Sequence, residues 1–158
     1  MKTFANNNHG FSVLELVAVL IIIGVVIVVA VPKIISTVNQ TDVIGQTAII
    51  KTQLYYAQSL AMNSDLTWGI CCDGADYWLF QDGNTANKVT LPGEDSDTVT
   101  LADKNISMGA FTVSFDIWGS PYTDAAETTA QVGDRTLTVS SGSDTGTVTI
   151  TQNTGLIS

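Results

Sequence analysis

Near the start of the chain, Gly10, Phe11 and Glu15 have residue types and a spacing suited to processing and charge pairing. Gly10 closes a polar run, MKTFANNNHG, and stands directly before the apolar run FSVLELVAVLIIIGVVIVVAVP. In an ordinary secretory signal the small-residue cleavage site follows the apolar segment, which is then discarded. Here the small-residue junction comes first, so a cut after Gly10 would keep the apolar segment and leave a free α-amine on Phe11. Glu15 lies four residues beyond that amine, where a carboxylate costs about 2.5–3.5 kcal/mol on insertion scales. Either the Phe11 amine of the same helix or of a neighbouring subunit offsets that cost, or Glu15 stays hydrated close to the membrane interface. An intermolecular pair would also set the axial stagger between subunits.

The element that must position these groups is a helix. Phe11 to Val31 is 21 residues, which at about 1.5 Å each spans roughly 32 Å and is enough to cross a hydrocarbon layer. Beyond Pro32, Val43, Ile50, Leu54, Ala57 and Ala61 recur at helical steps and form a stripe that can face a sheet. Gly45 weakens the middle, and Asn63, Ser64 and Asp65 supply a stop. From there the pattern changes to short runs, TWGICC, YWLF, NKVTL, TVTLA, FTVSFDIWG, RTLTVSS and TVTITQ, separated by Gly, Asp, Asn and Ser. They read as antiparallel strands. Phe111, Val113 and Phe115 alternate with Thr112 and Ser114, and Leu137 and Val139 with Thr136 and Thr138, as half-buried strands do. The expected fold class is α+β: a long N-terminal helical spine, transmembrane in its first half, packed on a small antiparallel β head. The expected segments are a leader at 1–10, a membrane-spanning helix at 11–31, its amphipathic continuation at 32–64 and the head at 65–158.

Gly10, Phe11 and Glu15, followed by the unbroken apolar helix and Pro32, resemble the prepilin signature of type IV pilins and of the pseudopilins of general secretion systems. The resemblance implies cleavage between Gly10 and Phe11 by a prepilin peptidase, N-methylation of Phe11, and assembly of the apolar helices into a filament core. It implies that Glu15 complements a neighbour's N-terminal amine and that Pro32 marks a bend, for which proline's missing donor is a physical cause. The partners it implies are other pilin or pseudopilin subunits, the peptidase and an inner-membrane assembly platform. The implied location is the inner membrane, single-pass with the head in the periplasm, and then a surface pilus or a periplasmic pseudopilus. The leader departs from the family in offering few basic residues, with Lys2 before the helix and Lys33 after it, so the charge bias hardly decides orientation. LYYAQSLAMNSD, TWGICC, YWLFQDGN, SFDIWGSP and TVTITQNTGLIS also resemble, in order, H-type pseudopilins, FimT-like proteins and the minor pilin of mannose-sensitive haemagglutinin pili. Those subunits serve at tips or in initiation. The two-cysteine C-terminal loop common in major pilins is missing, which favours a minor pilin or pseudopilin.

Composition narrows the alternatives. The 158 residues fit one domain plus one long element. Net charge is -9, from six basic and fifteen acidic side chains; losing Lys2 with the leader makes it -10. Such a surface repels phosphate backbones, so nucleic-acid binding is not expected. The sole histidine lies in the leader, and no GxSxG elbow, phosphate-cradling glycine loop or paired carboxylates in an apolar setting occurs, so the chain reads as a non-enzyme without cofactor. Cys71 and Cys72 are adjacent. On a strand they would point to opposite faces, one buried and one more exposed; a strained vicinal disulfide and an intersubunit bridge are the other readings. Asp73, Asp76 and Asp82, or Glu94, Asp95 and Asp97, could offer oxygens to calcium, although neither set has the spacing of a recognised loop. Trp68, Tyr77, Trp78, Phe80 and Trp118 read as packing of a small head, with Trp118 the best candidate for exposure. The competing function is a membrane-anchored binding module, an adhesin or receptor that does not polymerise.

Overall fold

A computed structural model describes residues 12–158, apart from the side chains of 29–37. The chain divides into two compact units, residues 1–35 and 36–158. Helix α1 runs Val13–Asn63. Its end is stitched by side chains: the Asn63 amide donates to the Ser59 carbonyl at 2.7 Å and the Ser64 hydroxyl to the Leu60 carbonyl at 2.8 Å. Trp68 Nε1 donates to Ser64 Oγ at 2.8 Å, so the first strand is anchored to the last helical turn.

Nine strands follow, every pair antiparallel: β1 Trp68–Cys72, β2 Asp76–Gln81, β3 Asn84–Val89, β4 Val99–Thr100, β5 Ser107–Met108, β6 Phe111–Phe115, β7 Pro121–Tyr122, β8 Arg135–Ser141 and β9 Asp144–Ile150. They form two sheets where the sequence pattern suggested no such division. One has the order β3-β2-β1-β6-β7 with β4 also on β2, and the other the order β5-β8-β9. Strands β5 and β7 have two residues each, too few for a visible alternation. Near the end of the chain, Ile157 makes one bridge, with Ile150.

The predicted stripe on α1 is the face that packs. Val43, Ile50, Leu54, Ala57 and Ala61 are all at most 2% exposed. The last four join one core with Ile70, Leu79, Val113 and Phe115 of the first sheet and Leu137, Val139, Val148 and Ile150 of the second. At roughly 25 cal/mol per Å² of apolar surface removed from water, this shared core is the main favourable contribution to the head. Strand β1 sits at the middle of the larger sheet, and Gly69 is required there: a Cβ would meet the Val113 carbonyl oxygen at 2.2 Å and the Phe80 ring at 2.6 Å. Phe80 is thereby fully buried although its neighbours Tyr77 and Leu79 face the main core.

One strand departs from the half-buried expectation. Ser114 in β6 has no exposure, because the connection after β7 covers it: the Ser114 hydroxyl donates to the Asp124 carbonyl at 2.6 Å. The Asp124 carboxylate organises that connection by accepting from the backbone N–H of Ala126, Thr128 and Thr129 at 2.9, 3.1 and 2.6 Å. The Thr128 N–H bond, and then those of Thr129, hold its pKa below the ordinary carboxylate value.

Candidate functional site

The helix start is where the sequence placed assembly chemistry. Gly10 and Phe11 lie outside the described residues. Ser12 caps the helix: its Oγ accepts from the Leu14 N–H at 3.3 Å, and its carbonyl accepts from the Glu15 and Leu16 N–H groups at 3.0 and 3.1 Å. Glu15 is then the third residue of the helix, in its first turn and exposed. Ser12-x-x-Glu15 has the spacing of a capping box, and a carboxylate there also complements the partial positive charge of the helix start. The sequence reading passed over this spacing, although the four letters S-V-L-E spell it.

From Val13 to Val28 every side chain is exposed, including Val13 and Leu14 at 81%. Among the described residues no helix is long and apolar enough to cross a membrane. The span expected at 11–31 takes in Phe11 and the side chains of residues 29–31, which fall outside the description. Pro32 lies within α1, but its side chain also falls outside, and with it the expected bend.

In the head, the two cysteines follow the pleat of β1. Cys72 is buried, Cys71 half-buried, and both thiols are free. Cys71 Sγ lies 3.4 Å from Thr112 Oγ1 on β6. Burial pushes the Cys72 thiol up from its ordinary value, only partly offset by the Gly74 N–H that donates to its sulfur, so it stays protonated at neutral pH.

The acidic candidates do not converge. Asp73 accepts from the Ala75 and Asp76 N–H groups, both at 2.8 Å, in a local turn, and these bonds, Asp76 first, lower its pKa. Asp82 lies beyond the far end of β2, about 20 Å from Asp76 at strand rise. There it takes a positive φ of 59°, followed by Gly83 at 65°, in the two-residue Asp-Gly turn joining β2 to β3. Glu94 is tied to Lys104 Nζ at 2.9 Å. Among the described residues no group of His, Cys, Asp or Glu could hold a metal ion.

The aromatic residues separate by burial. Tyr77 and Phe80 are in the interior, and burial pushes the Tyr77 hydroxyl up to about 12. Trp78 donates to the Thr85 carbonyl at 2.8 Å and carries Lys88 Nζ 4.1 Å from its ring centroid. Trp118 is 81% exposed, beside the exposed Ile117. Its turn is closed by hydrogen bonds: Asp116 Oδ1 accepts from the Trp118 and Ser120 N–H groups at 2.9 and 2.8 Å. From below, the buried Gln58 amide donates to the carbonyls of Gly119 at 2.9 Å, Gly155 at 3.1 Å and Thr154 at 3.3 Å. Gln58 was not singled out in the sequence, where it is one polar letter beside the apolar stripe.

The fold thus belongs to the α+β class, a helix packed on antiparallel sheets. The family model for the prokaryotic N-terminal methylation motif matches residues 5–31, the stretch holding Gly10, Phe11 and Glu15. That match identifies the segment as a type IV pilin-like signal. No curated protein and no solved structure matches the chain.

Proposed function

We propose that this protein is a structural subunit of a type IV pilus or a pilus-like secretion filament, and within that class a minor pilin or pseudopilin. The observation that carries the reading is the methylation motif at 5–31, leading into a helix whose later turns bear a β head. On this reading a prepilin peptidase cuts between Gly10 and Phe11, Phe11 is N-methylated, and residues 11–31 hold the chain in the inner membrane with the head in the periplasm. An assembly platform then draws subunits into a surface pilus or a periplasmic pseudopilus. The exposed apolar side chains from Val13 to Val28 need an apolar surrounding, which lipid supplies before assembly and neighbouring helices supply after it. Glu15 pairs with a neighbour's Phe11 amine, and Pro32 bends the helix. Free cysteines in the head accord with a subunit that lacks the major pilins' disulfide loop.

Mass spectrometry of the N-terminus from native membranes tests the processing step: a chain starting at methylated Phe11 is expected, and an intact Met1 overturns it. Glu15→Leu tests polymerisation, with membrane insertion retained and recruitment into filaments falling at least about tenfold, a factor that represents roughly 1.4 kcal/mol. Glu15→Gln separates the two uses of the side chain, since glutamine can complete a capping box but carries no charge. Recruitment should fail with Gln as well; if Gln restores it, helix capping is the role of Glu15.

The exposed Ile117–Trp118 turn favours one alternative, a membrane-anchored binding module that does not polymerise. Full function of the Glu15→Leu protein with no filament incorporation of the unaltered protein would establish it.

A further inference from the structure

The two sheets part company at one place. Strand β5 pairs with β8 only through Ser107 with Ser140 and Met108 with Val139, and the chain then leaves through Gly109 and Ala110 to enter β6 in the other sheet. The opposite edge of β8 is paired with β9 along its whole length. On the β5 side, Arg135–Thr138 therefore have no strand beside them among the described residues. Across from them, Phe111–Val113 of β6 have lost their outer neighbour too, since β7 covers only Ser114 and Phe115. Between these edges lies a cavity of about 250 Å³ whose walls include Gly109, Phe111, Arg135 and Thr138. A Cβ built on Gly109 would meet nothing within 4 Å.

Arg135 stands at the end of this slot. Its Nη1 donates to the Thr112 carbonyl at 2.7 Å, and its guanidinium lies 5.9 Å from the Phe111 ring centroid. A guanidinium has five donors in a fixed fork, and here the others meet no described acceptor. No described carboxylate pairs with it, whereas Lys104 is engaged by Glu94. Partial burial lowers its pKa somewhat, a cost that a carboxylate would offset.

We infer that the slot between β6 and β8 receives an extended acidic segment of another protein, which adds as a strand to the free edge at Arg135–Thr138 and places a carboxylate on the Arg135 guanidinium. Main-chain pairing provides affinity in such strand addition, and the side-chain contact provides selectivity. An unpartnered charge on an exposed edge discourages general edge-to-edge association, so it admits an acidic strand and turns away an apolar one. The occupant is not the chain's own start, because residues 1–11 contain no acidic side chain. The site stands on the head alone and holds whether or not the chain polymerises.

The test is an NMR titration of the full-length, isotope-labelled protein in neutral detergent micelles with the peptide acetyl-Thr-Val-Glu-Val-Thr-amide. Three comparison ligands accompany it: the same peptide with Gln for Glu, the same peptide N-methylated on alternate residues, and sodium acetate. Saturable shifts of the Arg135–Thr138 and Gly109–Ala110 amides are expected, with at least tenfold weaker binding of the Gln and N-methylated peptides. Arg135→Gln should weaken the parent peptide at least tenfold and Arg135→Lys less. If the Arg135 variants do not fold, the Glu-to-Gln exchange in the peptide decides the same point on the unaltered protein. No shifts at millimolar peptide, equal binding of the N-methylated peptide, or equal binding of the Gln peptide overturns the inference. Equal shifts with acetate alone also overturn it, leaving a small-anion pocket.

Discussion

Two apolar stretches of α1 meet opposite fates. From Val13 to Val28 the side chains are all exposed, whereas Val43, Ile50, Leu54, Ala57 and Ala61 are at most 2% exposed. The difference is one of pattern rather than hydrophobicity. Beyond Glu15 in its first turn, the first stretch is apolar all round, so its side chains are satisfied by surroundings that are apolar on every side, such as lipid or a bundle of like helices. The second is apolar on one stripe, and one stripe can be satisfied by the chain's own sheets. A single helix can thus serve two unlike surroundings, with Gln53 and Gln58 buried only in its second half.

The sharpest way to break this comparison is to make the same change in both stretches. Leu54→Ala should destabilise the head by about 2–5 kcal/mol, as a buried cavity does. Leu16→Ala, at a side chain 56% exposed, should change the head's unfolding free energy by less than about 0.5 kcal/mol. Chemical denaturation followed by tryptophan fluorescence reads both, and equal effects would mean that the first stretch contributes to head stability. Next in size is Gln58→Ala, which strips the shared donor from the Gly119, Thr154 and Gly155 carbonyls. A loss of about 1–3 kcal/mol is expected for carbonyls left unpaired in a buried place. Faster hydrogen exchange of the Asp116–Ser120 turn amides should accompany it.

Acid should act on the head before it acts on the apolar stretch. Asp124 and Asp73 have pKa values below the ordinary one because backbone N–H groups bind their charged forms. Their contribution is therefore present above the unfolded carboxylate value of about 3.9 and fades as pH falls through the lower folded value. Amide signals of residues 123–130 and 73–76 should lose protection over that acidic range. The smallest effect is expected from Tyr77→Phe. The Tyr77 hydroxyl is buried and makes no hydrogen bond of ordinary geometry, and the buried Gln53 side chain, its polar neighbour, makes none either. Removing the hydroxyl should be neutral or stabilising by up to about 1 kcal/mol, which a small rise in the denaturation midpoint would register.

Legibility followed the range of the interactions. The stripe on α1, the helix stop at Asn63 and strands β1, β2, β6, β8 and β9 are written in runs of neighbouring residues, where period and composition report burial directly. Gly10, Phe11 and Glu15 lie within the stretch matched at 5–31, a signal carried by neighbouring residues. The capping-box spacing of Ser12 and Glu15 is equally local. Gln58 under the Trp118 turn, Ser114 beneath the Asp124 loop and Arg135 beside Thr112 were not legible. Each is a single polar letter whose partners lie 61, 10 and 23 positions away.

By itself, then, the sequence determined an apolar stretch carrying a type IV pilin-like signal at 5–31, a one-faced helical stretch after it and strands beyond, because periodicity is a property of neighbours. Only the tertiary structure decided that the strands divide into two sheets, that Ser114 is covered and that a slot opens beside Arg135. The division and the slot depend on where β5 leaves β8 at Gly109, and the cover over Ser114 on the Asp124 connection after β7; both are set by packing among residues apart in the chain, which no local period records.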